Sequence, residues 1–278
     1  MAKLFRTAAL ARGIAFSIAF TAFAAGAAPF TYAHWNIGHY CYGTGKASKI
    51  APADGAMEAA KCTAFFDTLA ADWIGISEYS ENFTTDGSMK ATTSIFSRYP
   101  VQKVGQSQNY QWNAQFGSSR FEVLETITHY YTNHTQNVYY YAQRVKIDGE
   151  TEAWFVQTHM DWSDAAIRRS QFEELLAGFK DKEFVVIAGD YNCAVNGVTE
   201  WDNYARFTAE GFTLALTDES RQTYPQKAPD RVIDNIIVKG FTISNVRTYP
   251  DCVLSDHVAV SCRLALPTDP VEEDPPQP

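Results

Sequence analysis

Polar residues able to hold a cation or move a proton stand in this chain directly after apolar runs: Asn36 after 32–35, Glu78 after 73–76, His159 after 154–156, and Asp190 with Asn192 after 184–188. Asp234, Asp256 and His257 stand in two further strings, Arg231-Val232-Ile233-Asp234-Asn235-Ile236 and Ser255-Asp256-His257. Carboxylate and carboxamide oxygens are the donors that hard divalent cations accept. An imidazole is the side chain that gains or loses a proton near neutral pH. Any one of these residues, taken alone, is more simply a cap or turn former at a strand end. Their weight comes from the ordered series.

A strand carries the residue at its C-terminal end to the rim of a sheet, so the series demands strands. Short apolar runs rich in β-branched and aromatic residues recur at 31–37, 73–77, 93–97, 137–147, 153–158, 184–189, 232–238, 242–248 and 258–264, and these are predicted strands. Helical spacing occupies 55–70 and 164–179. In the second of these, Ile167, Phe172, Leu175, Leu176 and Phe179 share one face, with Arg168, Arg169, Glu173 and Glu174 beside it. Many strands and few helices predict a mixed sandwich. Segment 105–136, which holds Asn109, Tyr110, Trp112, Asn113, Tyr130, Tyr131 and Asn133, has no clear period and is expected to be a long surface excursion. No internal repeat is visible.

The chain has 278 residues, 46% hydrophobic and 14% aromatic, enough for one large core and too few for two substantial ones. Lys3, Arg6 and Arg12 precede an apolar run over 13–28 that ends in the small residues Ala25-Gly26-Ala27. That order is the order of a signal peptide, expected over 1–28, and the run is short for a membrane span. A domain over 29–266 should follow, then an acidic, proline-rich disordered tail over 267–278. The expected product is secreted or periplasmic, with no stable membrane insertion once the signal is cleaved.

A net charge of −9 repels polyanions and disfavours tight duplex binding, although a bound metal supplies local positive charge that the formal count omits. Cys41, Cys62, Cys193, Cys252 and Cys262 show no CxxC pair, which argues against a zinc cluster. In an oxidising compartment Cys41 with Cys62, or Cys252 with Cys262, are the nearest pairs, and Cys193 is expected to be a buried free thiol.

Read together, His34-Trp35-Asn36, Ile76-Ser77-Glu78, Thr158-His159-Met160-Asp161-Trp162, Gly189-Asp190-Tyr191-Asn192, the string around Asp234 and Ser255-Asp256-His257 resemble, in order, the signature series of the endonuclease/exonuclease/phosphatase superfamily. The resemblance spans 34–264 and includes Ser94-Ile95-Phe96-Ser97-Arg98-Tyr99-Pro100, which looks like the strand before that family's central region. The Gly-Asp-x-Asn and Ser-Asp-His strings are its strongest parts. The first string is its loosest, with His34 in place of commoner residues, and Ser77 stands where many members have glutamine.

This resemblance implies an α+β, DNase-I-like fold: a four-layer α/β sandwich of two packed mixed β-sheets flanked by helices. It implies Glu78 as the main ligand of Mg²⁺ or Mn²⁺, with Asn36 and Asp256 in or near the coordination shell. Asp190 would orient or deprotonate the attacking water, and Asn192 would hydrogen-bond a phosphate oxygen. His257, with Asp234 on its other ring nitrogen, would donate to the phosphate or transfer a proton, and His159 would stabilise the phosphoryl or leaving oxygen from the opposite side. His34 and His39 are expected at the rim of the site, and His129 and His134 in loops. Arg168 or Arg169 should bridge acidic neighbours on a helix face.

The function so implied is an exported, metal-dependent phosphoesterase acting on a phosphate ester, whether a small molecule, a lipid head group or nucleic acid. A secreted nuclease acting on DNA or RNA is the alternative within that chemistry. A non-catalytic binding module on the same fold is the alternative outside it. No specific protein partner is predicted.

Overall fold

The computed structural model describes residues 27–38, 52–79, 96–105, 112–135, 138–195, 200–217 and 221–267. Its elements are β1 (Phe30–Asn36), α1 (Pro52–Leu69), β2 (Trp73–Tyr79), β3 (Val101–Val104), β4 (Trp112–Gly117), β5 (Phe121–Tyr130), β6 (Tyr139–Ile147), β7 (Thr151–His159), α2 (Ala165–Phe179), β8 (Val185–Asp190), α3 (Trp201–Ala209), β9 (Thr213–Leu214), β10 (Asp234–Lys239), β11 (Thr242–Thr248) and β12 (Val260–Ala265). Two six-stranded sheets result, ordered β11-β12-β1-β2-β4-β3 and β5-β6-β7-β8-β10-β9. Each contains one parallel pair, β1 with β2 and β7 with β8, and is otherwise antiparallel. This is the α+β sandwich of two packed mixed sheets that the resemblance implied.

Period-2 alternation decides what each strand gives to each layer. On β1, Phe30 and Tyr32 point between the sheets, whereas Ala33 and Trp35, with Ile37 just past the strand end, cluster with Cys62, Phe66 and Leu69 of α1. On β2, Trp73 points between the sheets and Ile74 and Ile76 toward α1. Phe155 of β7 fills the middle, with ring centroids 5.0 Å from Trp73, 5.4 Å from Tyr32 and 5.6 Å from Phe121. Such edge-on aromatic contacts add roughly 0.5–1.5 kcal/mol per pair beyond the area they bury. Phe172, Leu175 and Phe179 of α2, with Tyr204 and Phe207 of α3, cover the outer face of the second sheet. No helix among the described residues is long and apolar enough to cross a membrane.

Several expectations need correction. Segment 105–136 is not an excursion, because it carries the whole of β4 and β5. On β4 the polar Asn113 and Gln115 are buried along with Ala114 and Phe116: Gln115 accepts from Trp73 Nε1 at 3.0 Å and donates to Tyr141 O at 2.7 Å. β5 is an edge strand with exposed polar residues along most of its length. Of the strand expected over 93–97, the described residues form a turn, and 93–95 lie outside them. A Cys252–Cys262 bridge is not formed. Cys262 packs between the sheets and Cys252 in the α1 layer, on opposite sides of the first sheet. Cys193 is a buried thiol. Of the expected signal peptide, residues 1–26, and of the expected tail, residues 268–278, lie outside the described residues, as do His39 and Cys41.

Candidate active site

In each parallel pair the two C-terminal ends lie side by side. β1 and β2 end together, with Asn36 opposite Ser77, and β7 and β8 end together, with His159 opposite Asp190. β10 runs the other way, so it contributes its first residue, and Asp234 pairs with Asp190. Gly189 permits the β7–β8 approach at this end: a Cβ there would sit 2.2 Å from Thr158 O.

Glu78 reaches the site by a different route. Strict alternation would send it to the α1 side with Ile74 and Ile76. The register of β2 against β4 shifts between Ile76 and Tyr79, and Glu78 takes a left-handed φ of 55°. A bulge re-aims a side chain in this way, and the backbone strain it carries is a feature of functional sites.

The side chains converge on Asp190. Its Oδ2 lies 3.6 Å from His159 Nε2 and 3.7 Å from His257 Nε2, and it accepts from Asn36 Nδ2 at 2.9 Å. Asn36 Nδ2 also donates to Glu78 Oε1 at 3.1 Å, and Glu78 Oε1 lies 4.0 Å from His159 Nε2. Asp190 Oδ1 accepts from Asn192 N at 2.8 Å, while Asn192 Nδ2 donates to Met160 O. Behind His257, Nδ1 meets Asp234 Oδ2 at 2.9 Å. The backbone around His257 is pinned as well: Ser255 Oγ accepts from His257 N and donates to Asn36 O, and Trp35 Nε1 donates to His257 O.

Burial sets the electrostatics. Burial and the neighbouring Asp234 charge push the Asp190 carboxyl up to about 6, against the pull of His257 and the N–H donors of Asn192 and Asn36. Burial alone would depress His257, but the Asp234 and Asp190 carboxylates outweigh it and raise the ring to about 10. For Asp234 burial is likewise outweighed, by the His257 charge and by hydrogen bonds from His257 and His34, and its carboxyl is held well below the usual range.

Glu78, His159, Asp190, Asn192, Asp256 and His257 line one cleft of about 670 Å³, and Asn36 and Asp234 lie buried directly behind it. The eight residues expected at the site are therefore gathered at one end of the sandwich. Asn36 meets the carboxylates with its nitrogen, and its oxygen accepts from Gly38 N, so a ligand role for Asn36 needs its amide reversed. Glu78, His159 and Asp190 place ligand atoms within 4.8 Å of one another, as do Asp190, Asp234 and His257.

His34 is not at the rim. It is wholly buried and meets Asp234 Oδ1 through Nε2 at 3.2 Å. Tyr224, whose ring lies 4.7 Å from that of His257, is a contributor the sequence reading missed, and Trp162, 62% exposed at the cleft, is another. No local signal marks Tyr224, since it reaches the site from a loop paired to Arg231. His129 lies on β5, paired with Glu174, rather than in a loop. Arg168 is buried against Glu200 and Asp161 O, and Arg169 pairs with Glu173 on the helix surface.

Comparison with known proteins places this geometry in a family. Among solved structures, an endonuclease/exonuclease/phosphatase from Bacteroides vulgatus superposes with a TM-score of 0.68 at 16% identity, covering 86% of this chain and 99% of that one. TDP2 of D. rerio, complexed with a single-strand DNA product, gives 0.68 at 15%, over 85% and 99%. A mannosyl-6-phosphatase from Bacteroides thetaiotaomicron gives 0.65 at 14%, over 85% and 100%. At these identities the likeness is one of fold. No curated protein matches the sequence. The family model described as "Endonuclease/Exonuclease/phosphatase family" matches residues 21–257, and the chain belongs to that family.

Proposed function

We propose that the protein is an exported, divalent-metal-dependent phosphoesterase that hydrolyses a phosphomonoester or phosphodiester by in-line attack of water. The observation that carries this reading is the Asp190 carboxylate, held between two imidazoles and beside Glu78 in an open cleft. The donors suit Mg²⁺ or Mn²⁺. Glu78 and Asp256 bring carboxylate oxygens to the cleft, Asn36 stands at Glu78, and a carboxyl pushed up to about 6 is one that a nearby cation would return to its ionised form. When bound by Glu78 and Asp256, with Asn36 in or near the shell, a divalent ion supplies positive charge to a phosphoryl oxygen.

The protein's own groups would do the rest. Asp190, basic at neutral pH, orients the attacking water and takes its proton. His257, kept protonated by Asp234, donates to a phosphoryl oxygen, and His159 stabilises the phosphoryl or leaving oxygen from the other side. Asn192 hydrogen-bonds a phosphate oxygen without adding charge. A nuclease reading draws on Trp162, whose exposed ring at the cleft offers a face on which a base could stack, and is opposed by the net charge of −9. The acidic and histidine positions are all filled, which argues against a module that only binds.

The test is hydrolysis of bis-para-nitrophenyl phosphate. Turnover should require Mg²⁺ or Mn²⁺, stop in EDTA and return with added metal. Glu78→Gln should raise the Mg²⁺ concentration needed for half-maximal rate. Metal-independent turnover would sink the metal assignment, and a well-folded protein inert toward this ester, DNA, RNA, sphingomyelin, an inositol phosphate and a hexose 6-phosphate would sink the enzymatic one.

A further inference from the structure

The Asp234 carboxylate carries an imidazole on each oxygen: His257 Nδ1 at 2.9 Å on Oδ2 and His34 Nε2 at 3.2 Å on Oδ1. Neither the Asp234 nor the His34 side chain has any solvent exposure. The far side of His34 is also specified, since Nδ1 lies 3.2 Å from Gln157 Nε2, which in turn lies 2.9 Å from Ser77 Oγ.

Hydrogen counting fixes the directions. Ser77 has a single hydroxyl hydrogen and donates it to Thr158 O at 3.1 Å, so its contact with Gln157 is an amide N–H donating to the hydroxyl oxygen. The Gln157 nitrogen therefore faces Ser77 and His34 together. His34 Nδ1 accepts, its proton resides on Nε2, and Nε2 donates to Asp234. A Cβ at residue 75 would stand 1.9 Å from Gln157 Oε1, so glycine there makes room for the amide. The series Ser77, Gln157, His34, Asp234, His257 crosses between the sheets at every step but the last, linking β2, β7, β1 and β10.

We propose that His34 is a positioning residue: by donating to Asp234 Oδ1 it fixes the plane of that carboxylate, and so the orientation and tautomer of His257. A carboxylate with one partner can swing about its Cβ–Cγ bond. With a ring on each oxygen it cannot do so without breaking a bond in a site closed to water, where an unmade hydrogen bond is costly. Only the kinetic consequence rests on the phosphoesterase reading.

The test has an arm that needs no activity. Nitrogen-edited NMR of the intact protein should show His34 protonated on Nε2 and bare on Nδ1, and a slowly exchanging His257 Nδ1 proton. In His34→Leu that His257 proton should exchange faster, and in His34→Gln, whose amide can replace the lost donor, it should be kept. An Nδ1-protonated His34, or a His257 proton indifferent to His34→Leu, would overturn the proposal. In turnover, His34→Leu should lower kcat by roughly ten- to a hundredfold, the range for groups that orient a catalytic side chain, with KM little changed and His34→Gln recovering most of the loss. Equal losses in both variants, or a loss confined to KM, count against it. Should His34→Leu not fold, Gln157→Met removes the donor to Nδ1. Asp234 can still only accept, so the His34 proton should remain on Nε2, and its appearance on Nδ1 would overturn the His34–Asp234 bond. A wild-type protein inert on every ester defeats the functional reading alone, and the proton exchange still decides the role of His34.

Discussion

Asp190 stands where the opposing demands on this site meet: it is almost wholly buried, it pairs across the sheet with Asp234, and it lies under 4 Å from both His159 and His257. A carboxyl with its folded value raised to about 6 binds its proton more tightly in the folded than in the unfolded state. It therefore costs nothing below the unfolded value and opposes folding increasingly as pH rises toward 6. Asp190→Ala and His257→Ala should each lower turnover at neutral pH by about a hundredfold or more, the usual contribution of a positioned acid or base. Asp190→Asn should lose activity comparably with no fall in thermal midpoint above pH 6. Near-normal rates in either alanine variant would remove that residue from the chemistry. Asp190 was legible because it closes a strand within an ordered string, and His257 because it stands in another string of the same series. His34 was not, because a histidine inside an apolar run reads as rim or core alike until the partner across the sandwich is seen. The left-handed backbone that turns Glu78 into the cleft likewise has no signature in residue type.

At the level of elements, the loop leaving β7 is fixed by Asp161. Its carboxylate accepts from Ser163 N at 2.9 Å, Ser163 Oγ at 2.7 Å, Asp164 N at 3.2 Å and Thr135 N at 2.9 Å, and also from Thr135 Oγ1. Asp164 then caps α2 by accepting from Ala166 N and Ile167 N. One buried carboxylate thus joins the β5–β6 connection to the start of α2, just beyond His159. Burial would raise Asp161, but the Thr135 and Ser163 donors outweigh it and lower the group to about 2. A depressed folded value contributes stability that is present above the unfolded value near 3.8 and is lost as pH falls toward 2. Asp161→Asn should accordingly cost about 2 kcal/mol at pH 7, read from urea unfolding, and the gap to wild type should narrow between about pH 4 and 2. A constant gap across that window would assign the loss to shape rather than charge. The strands around the parallel pairs were legible from period and β-branching. β4 and β5 were not: in one, two of the buried residues are amides whose nitrogens donate to the β6 carbonyls of Tyr139 and Tyr141, and in the other an edge position leaves most residues exposed.

For the molecule as a whole, two sheets packed through an aromatic layer leave their shared strand ends as the place where polar groups from both can meet, so the cleft follows from the architecture. The electrostatic field around it follows from composition. A chain at −9 repels a polyanion over distances comparable to the Debye length, and losing Lys3, Arg6 and Arg12 with an exported leader that contains no acid would deepen that repulsion. Raising salt from about 10 to 150 mM shortens the screening length from roughly 30 to 8 Å. If small esters are the proper substrates, kcat/KM for a single-stranded oligonucleotide should start low and rise across that range, as repulsion is screened. The value for a singly charged nitrophenyl ester should stay nearly flat, because one charge feels little of the distant field. A nuclease with a basic track for its strand gives the opposite sign, since cations released from the nucleic acid make binding weaker as salt increases. A steep fall for the oligonucleotide would therefore show that the chain guides polyanions despite its net charge, and would move the substrate from a small phosphoester to nucleic acid.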